Sequence, residues 1–212
     1  NIPVPRYTSY PPANYFHEGF SSEQYKEAIC ESNRQIPQSI SFYFHIPFCL
    51  RLCHYCGCNS YAAPTQEILQ RYIKALHKEI DMVVPFISKE RKISQIHYGG
   101  GTPTFLPASD LEELNQHVLH QFETIDNPEI AIECHPGWLK ENDWEQLIKA
   151  RFNRLSIGIQ DFNLKVLEAV HRQAPLLPIE EIVTILRSHG MRINMDFLYG
   201  LPHQTEQSFA DT

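Results

Sequence analysis

Nowhere in the 212 residues does an apolar run approach the ~20 that a bilayer crossing requires, so no transmembrane span is expected. The first residues, Asn1-Ile2-Pro3-Val4-Pro5, offer neither a basic segment nor an apolar one behind it, which argues against export and for a soluble, cytoplasmic protein. Cations are scarce as well. Lysine and arginine number 18 against 25 aspartates and glutamates, a net charge of −7, and no basic run is long enough to condense on phosphates, so no nucleic-acid partner is expected. Of only 6 cysteines, four fall between Cys49 and Cys58, where bridges would close loops too short to remove much entropy from the unfolded chain. Clustered thiols without an export signal point to a metal rather than to disulfides. What is present, 42% apolar and 11% aromatic residues, suffices for one substantial core and excludes disorder and collagen-like structure.

Residues 1–20 interleave Pro3, Pro5, Pro11 and Pro12 with Tyr7, Tyr10, Tyr15 and Phe16, which precludes a regular helix and predicts an arm lying on a surface. Residues 22–34 read as a short helix capped by Ser21 or Ser22, and arm and helix together form a first unit, residues 1–38. Over residues 39–212, β-branched and aromatic runs alternate with helical periods. Strands are predicted at 40–46, 93–98, 129–134, 154–160 and 192–198. Leu69, Tyr72, Ile73, Leu76, Ile80 and Val83 recur at helical spacing behind the cap Thr65, and Ser109-Asp110-Leu111-Glu112 has the form of a capping box opening a second helix. Trp144, Leu147 and Ile148 mark a third helix. Pro178 at a first turn and Gly190 past a last turn bracket a fourth, through Ile182, Val183 and Leu186. With no initial Met and an end at Phe209-Ala210-Asp211-Thr212, where a helix is beginning, the chain reads as a fragment.

Five strands alternating with helices predict an α/β fold of parallel βα repeats with right-handed crossovers, either an open doubly wound sheet or part of a barrel. In both architectures the loops leaving the C-terminal strand ends share one rim, where sites are built. That rim collects the cysteine loop, Gly99-Gly100-Gly101-Thr102, Glu133, Gln160-Asp161 and Asp196.

Cys49-x-x-x-Cys53-x-x-Cys56 places three thiols where one loop can wrap a single inorganic centre. Thiolate ligation suits an iron-sulfur cluster, and a cubane held at three corners leaves one iron open to a substrate or cofactor. Two other readings of the loop stay open. One is a structural zinc site using Cys53, Cys56 and Cys58 with His54 or His45, although no second C-x-x-C knuckle lies at the usual separation. The other is a four-cysteine electron-transfer cluster that includes Cys58, although the single residue between Cys56 and Cys58 points their side chains apart. Cys30 and Cys134 read as core residues, and none of the 11 histidines has a persuasive metal-ligand spacing.

The cysteine triplet after a first strand and Gly-Gly-Gly-Thr after the second resemble the radical S-adenosylmethionine superfamily. Within it, several motifs are similar to those of the oxygen-independent coproporphyrinogen III oxidase family: Pro5-Arg6-Tyr7-Thr8-Ser9-Tyr10-Pro11, Tyr43-Phe44-His45-Ile46-Pro47-Phe48-Cys49, Cys56-Gly57-Cys58-Asn59, Tyr98 through Thr104, Ser156 through Phe162, and Tyr199-Gly200-Leu201-Pro202. The resemblance implies a partial (β/α)6 barrel with five strands present, the sixth βα unit and a C-terminal domain lying beyond this chain. It implies a 4Fe-4S cluster on Cys49, Cys53 and Cys56, with Cys58 unligated, and two molecules of S-adenosylmethionine. The first would meet the open iron and be held by Tyr43, at the end of the first strand, with Gly100; Glu133, at a strand end on the rim, is a further cofactor-binding candidate, able to accept from an amino or ribose hydroxyl group. The second would be held by Tyr55, Gly101, Thr102, Gln160, Arg172 and Asp196, the fork of Arg172 suiting a carboxylate either of the cofactor or of a substrate propionate.

No residue is assigned a direct catalytic role. The implied activity belongs to anaerobic haem biosynthesis. An electron from a low-potential donor would cleave the sulfonium to a 5′-deoxyadenosyl radical, and two propionates of coproporphyrinogen III would become vinyls, giving protoporphyrinogen IX. A monomer is expected. Two relatives in the same superfamily offer alternatives: a haem-trafficking chaperone, which typically lacks both the Pro-Arg-Tyr-Thr arm and the Cys56-x-Cys58 ending, and a haem-degrading methyltransferase.

Overall fold

The computed structural model describes Tyr15 and residues 17–212; the rest of the predicted proline-rich arm, with its Pro-Arg-Tyr-Thr motif, lies outside the described residues. In chain order the elements are α1 (Ser22–Ser32), β1 (Ile40–Ile46), β2 (Phe48–Cys49), β3 (Tyr61–Ala62), α2 (Gln66–Val83), β4 (Ile93–Gly100), α3 (Ala108–Leu119), β5 (Thr124–Cys134), α4 (Glu141–Lys149), β6 (Arg154–Gln160), α5 (Leu164–Ala169), α6 (Ile179–Ser188), β7 (Arg192–Phe197) and α7 (Glu206–Ala210). All five expected strands form one sheet, in the order β1-β4-β5-β6-β7, every pairing parallel. Each new strand adds on the same side of its predecessor and the order never reverses, so there is no switch point as in a doubly wound sheet. This is the winding of a barrel, and the sheet is not closed.

Helices α2, α3, α4 and α6 pack on one face of the sheet. Their apolar stripes, Leu69, Ile73, Leu76 and Ile80 of α2, Leu111, Leu114 and Val118 of α3, Trp144 and Leu147 of α4, and Ile182 and Leu186 of α6, bury against Phe44, Ile46, Ile96, Tyr98, Ile132, Leu155, Ile157 and Ile159 of the strands. Successive strand residues point to opposite faces, so the alternate positions line the concave side. There stand Tyr43, His45, His97, Glu133, Ser156, Asn194 and Asp196, a polar set that this layer of helices leaves uncovered. Inside the helical layer, the Tyr98 hydroxyl donates to Asn115 Oδ1 at 2.9 Å and Asn115 Nδ2 donates to the Ala150 carbonyl at 3.0 Å, so each of these buried polar groups has a partner.

Several local expectations need correction. Ser109 is not a cap: α3 starts at Ala108 behind Pro107, whose backbone is already extended, and Ser109 sits in the first turn with no capping bond. Pro178 precedes α6 as its N-cap rather than lying inside the first turn, while Gly190 does occupy the left-handed conformation that ends the helix, at φ +71°. Cys30 is exposed, because α1 buries none of its residues. Strand β5 begins five residues earlier than predicted, at Thr124. Helix α5, too short to show a helical period, and the pair β2–β3 had no clear signal in the sequence.

Candidate active site

The first strand delivers the chain to the rim at Ile46, and β2 immediately carries Cys49 beneath the loop that leaves β4. That loop is laced to the start of the cysteine segment: Gly101 N donates to Ile46 O and Thr102 N to Phe48 O, both at 2.8 Å. Close approach requires glycine here. A Cβ on Gly101 would lie 2.9 Å from Cys49 Sγ and 2.9 Å from the Phe48 carbonyl, and Gly100, at φ +117°, would place one 2.8 Å from the His45 ring. On the far side, the cysteine loop is tied to the segment around the end of α5. His54 N donates to Val170 O at 3.0 Å, the His171 ring binds the Leu52 carbonyl at 2.9 Å, and the two imidazoles stack with centroids 5.4 Å apart.

Between these anchors lies a cavity of about 180 Å³ lined by Cys49, Cys53 and Cys56, and also by Cys58 and Cys134. Tyr55, Gly100, Gly101, Thr102, Glu133, Gln160, Arg172 and Asp196 line the same cavity, so it gathers every residue expected to hold the cluster or S-adenosylmethionine except Tyr43, while Gly99 and Asp161 of the rim do not line it. Tyr43 lies in the middle of β1, not at its end, with its ring stacked on His97 and its hydroxyl 3.1 Å from His45 Nδ1. It is nevertheless near Glu133, whose charge, after burial, helps push the phenol above its ordinary range. Glu133 itself is held by His97, Nε2 to Oε1 at 3.3 Å. Sequence reasoning left His97 unassigned; its place two residues before Gly99, on the same face of β4, was the available signal.

Two of the three thiols already meet hydrogen-bond donors. The Thr102 hydroxyl donates to Cys49 Sγ at 3.4 Å, and Arg172 Nη1 to Cys53 Sγ at 3.5 Å. Burial raises the Cys49 thiol and the Thr102 bond pulls it back. The other guanidinium arm of Arg172 donates to the Gly158 carbonyl, and a Cβ on Gly158 would fall 2.8 Å from it. Arg172 follows α5 in a turn through His171, at φ +59°, so it is not a solvent-facing helix residue. Gln160 ends β6 at φ +70°. Asp196 is fixed by Ser156 Oγ at 3.0 Å and Asn194 Nδ2 at 2.8 Å. The Tyr55 hydroxyl is buried without a hydrogen-bond partner, and burial drives its pKa far up.

His135, not anticipated from the sequence, also lines the cavity. Burial, then the nearby guanidinium groups of Arg172 and Arg51, lower it to about 3, and its Nδ1 accepts from Gly137 N at 3.0 Å. The histidines considered for zinc are engaged elsewhere, His54 Nδ1 with Ala169 O at 3.3 Å and His45 Nε2 with Asn59 O at 2.9 Å. Among the described residues no three histidine, cysteine or carboxylate side chains are grouped to hold a single metal ion. The cavity does fit a cluster. Cys49, Cys53 and Cys56 line one space, which Cys58 and Cys134 also line; two of the three stand beside donors able to stabilise a thiolate, and a glycine backbone yields room where a side chain would collide.

Known proteins resemble this chain in sequence and in fold. The profile of the Radical SAM superfamily matches residues 43–212. The chain is 38% identical to the oxygen-independent coproporphyrinogen III oxidase of Helicobacter pylori (strain J99) over 99% of its own length and 47% of the relative's. To the enzyme of the same name from Escherichia coli (strain K12) it is 38% identical over 100% and 46%. Among solved structures, coproporphyrinogen III oxidase (HemN) from Escherichia coli, described as a radical SAM enzyme, superposes with a TM-score of 0.83 at 37% identity over 97% of this chain and 47% of that one. The chain thus spans about half the length of the curated relatives it matches. No helix among the described residues is long and apolar enough to cross a membrane.

Proposed function

The chain belongs to the radical S-adenosylmethionine superfamily, and from that premise we propose that it carries the cofactor-binding part of an oxygen-independent coproporphyrinogen III oxidase. In this reading residues 39–212 are the catalytic unit and residues 1–38 its arm and lead-in helix. The protein acts as a cytoplasmic monomer on coproporphyrinogen III and draws electrons from a low-potential donor. One observation carries the reading: Cys49, Cys53 and Cys56 face a single cavity at the C-terminal rim of a parallel sheet, with donors on two of their sulfurs.

When bound, a 4Fe-4S cluster and S-adenosylmethionine supply one-electron cleavage of a carbon-sulfur bond and a radical able to remove a hydrogen atom. The protein's own groups do the rest. Three thiolates hold the cluster. Glu133, oriented by His97, accepts hydrogen bonds from an amino or ribose hydroxyl group of a first S-adenosylmethionine, with the Gly100 backbone close by and Tyr43 behind the carboxylate. A second S-adenosylmethionine is assigned to Tyr55, Gly101, Thr102, Gln160, Arg172 and Asp196, where the orphan Tyr55 hydroxyl and the remaining N–H donors of Arg172 await polar partners. The lacing of the β4 loop and the α5 segment onto the cysteine loop keeps these groups fixed and helps exclude water.

The test is anaerobic reconstitution of the full-length protein, followed by S-adenosylmethionine and dithionite, then coproporphyrinogen III. Iron, sulfide and 5′-deoxyadenosine are expected, with propionates converted to vinyls. Zinc in place of iron, or no deoxyadenosine from cluster-loaded protein, would overturn the proposal.

A further inference from the structure

Thr102 is only 6% exposed although it lines the cavity, and its polar groups are directed inward. Its N–H is bound to the Phe48 carbonyl, its carbonyl accepts from Phe105 N at 2.8 Å, and its hydroxyl donates to Cys49 Sγ at 3.4 Å. The hydroxyl is thus given to a sulfur 53 residues away in sequence, whatever the rest of the residue contributes to the cavity wall. Because Gly101 has no side chain, the backbone sits close enough to Cys49 for the bond to form.

We propose that Thr102 is a positioning residue for the cluster, its hydroxyl on Cys49 Sγ raising the cluster's reduction potential. The inference rests on the reading that Cys49 is a cluster ligand. The couple concerned is a one-electron one: the oxidised cluster takes an electron from an external low-potential reductant, no bond is broken and the hydroxyl proton stays on oxygen. Reduction makes the ligand sulfurs more negative, so a donor aimed at one of them stabilises the reduced form more than the oxidised form. Arg172 Nη1 at Cys53 Sγ acts in the same direction. Arg172 also supports the Gly158 carbonyl, so Thr102 is the cleaner position to test.

In the reconstituted full-length protein without S-adenosylmethionine, Thr102→Val removes the hydroxyl and keeps the volume, Thr102→Ala is a second hydroxyl-free variant, and Thr102→Ser restores the donor. The midpoint is read by titration with titanium(III) citrate, following the paramagnetic resonance of the reduced cluster, which reports only cluster-bearing molecules. Both hydroxyl-free variants are expected to shift to more negative potential, lowering the ratio of reduced to oxidised cluster at a fixed poise roughly 2- to 10-fold, the range one hydrogen bond of ordinary net strength commands. Thr102→Ser is expected to match the parent. An unshifted midpoint in the hydroxyl-free variants overturns the proposal. So does an unshifted midpoint accompanied by weaker S-adenosylmethionine binding, which would assign the hydroxyl to the cofactor. A parent protein that takes up no iron and sulfide instead removes the underlying cluster reading, and is told apart by metal analysis before any titration.

Discussion

The close approach between the β4 loop and the cysteine loop makes Gly101 a position where a single methyl group should be disruptive. The Cβ of Gly101→Ala would stand 2.9 Å from Cys49 Sγ, 2.9 Å from Phe48 O and 3.0 Å from Phe48 N, well inside van der Waals contact. Two of these atoms are backbone, so the clash cannot be relieved by turning a side chain. Separating the loops far enough to accommodate the methyl stretches the bonds from Gly101 N to Ile46 O and from Thr102 N to Phe48 O, both 2.8 Å in the parent, beyond hydrogen-bonding range. At ~0.5–1.5 kcal/mol net for each bond, the local structure loses about 1–3 kcal/mol. Amide exchange at residues 101 and 102 should then accelerate roughly 5- to 150-fold, at ~1.4 kcal/mol per decade. Cys49 moves with the loop, so the iron content of the reconstituted full-length protein should fall. Gly190→Ala serves as the control: it meets nothing within 4 Å and disturbs only its own left-handed turn, at a cost of about 1–2 kcal/mol. Parent-like exchange and full iron loading in Gly101→Ala would refute the claim that this glycine exists for close approach to the thiol.

Three further outcomes follow from the same geometry. Tyr98→Phe leaves Asn115 Oδ1 buried without its donor and should destabilise the protein by about 1–3 kcal/mol in urea unfolding, with cluster loading unchanged. Glu133→Gln keeps the shape but loses the charge that His97 orients; S-adenosylmethionine affinity, measured calorimetrically on cluster-loaded protein, should fall roughly 10-fold or more while iron content stays constant. His135 is held neutral in the fold, at about 3, against an ordinary value near 6.5. The unfolded chain therefore binds a proton that the native state refuses, and stability must decline as pH falls from about 6.5 toward 3. His135→Gln should flatten that part of the stability-against-pH curve, and an unchanged slope would show that His135 is not responsible for it.

The rim was legible in the sequence because it is written in local terms. β-branched and aromatic runs located all five main strands, the first two of them closed by Pro or Gly. Their regular alternation with helices implied parallel pairing, and parallel pairing puts all their C-terminal ends on one side. The cysteine spacing and the glycine triplet then fell on that side whatever the exact winding. Short features were harder. Ser109 has the form of a capping residue, yet Pro107, two residues earlier, had already set the backbone for the helix. Helix α5 is too brief to show a period, although its end anchors the cysteine loop.

By itself the sequence determined a parallel α/β chain, a trio of thiols within one loop, and a collection of polar residues at strand ends. Only the tertiary structure decided which way the sheet winds, that the Thr102 hydroxyl and the Arg172 guanidinium turn toward particular sulfurs, and that His97 and His135 belong to the site. The reason lies in the range of the interactions. Periodicity and turn chemistry act over a few residues and are visible in order along the chain. The bonds from Thr102 to Cys49 and from Arg172 to Cys53 span 53 and 119 residues, and exist only once packing has brought those segments together.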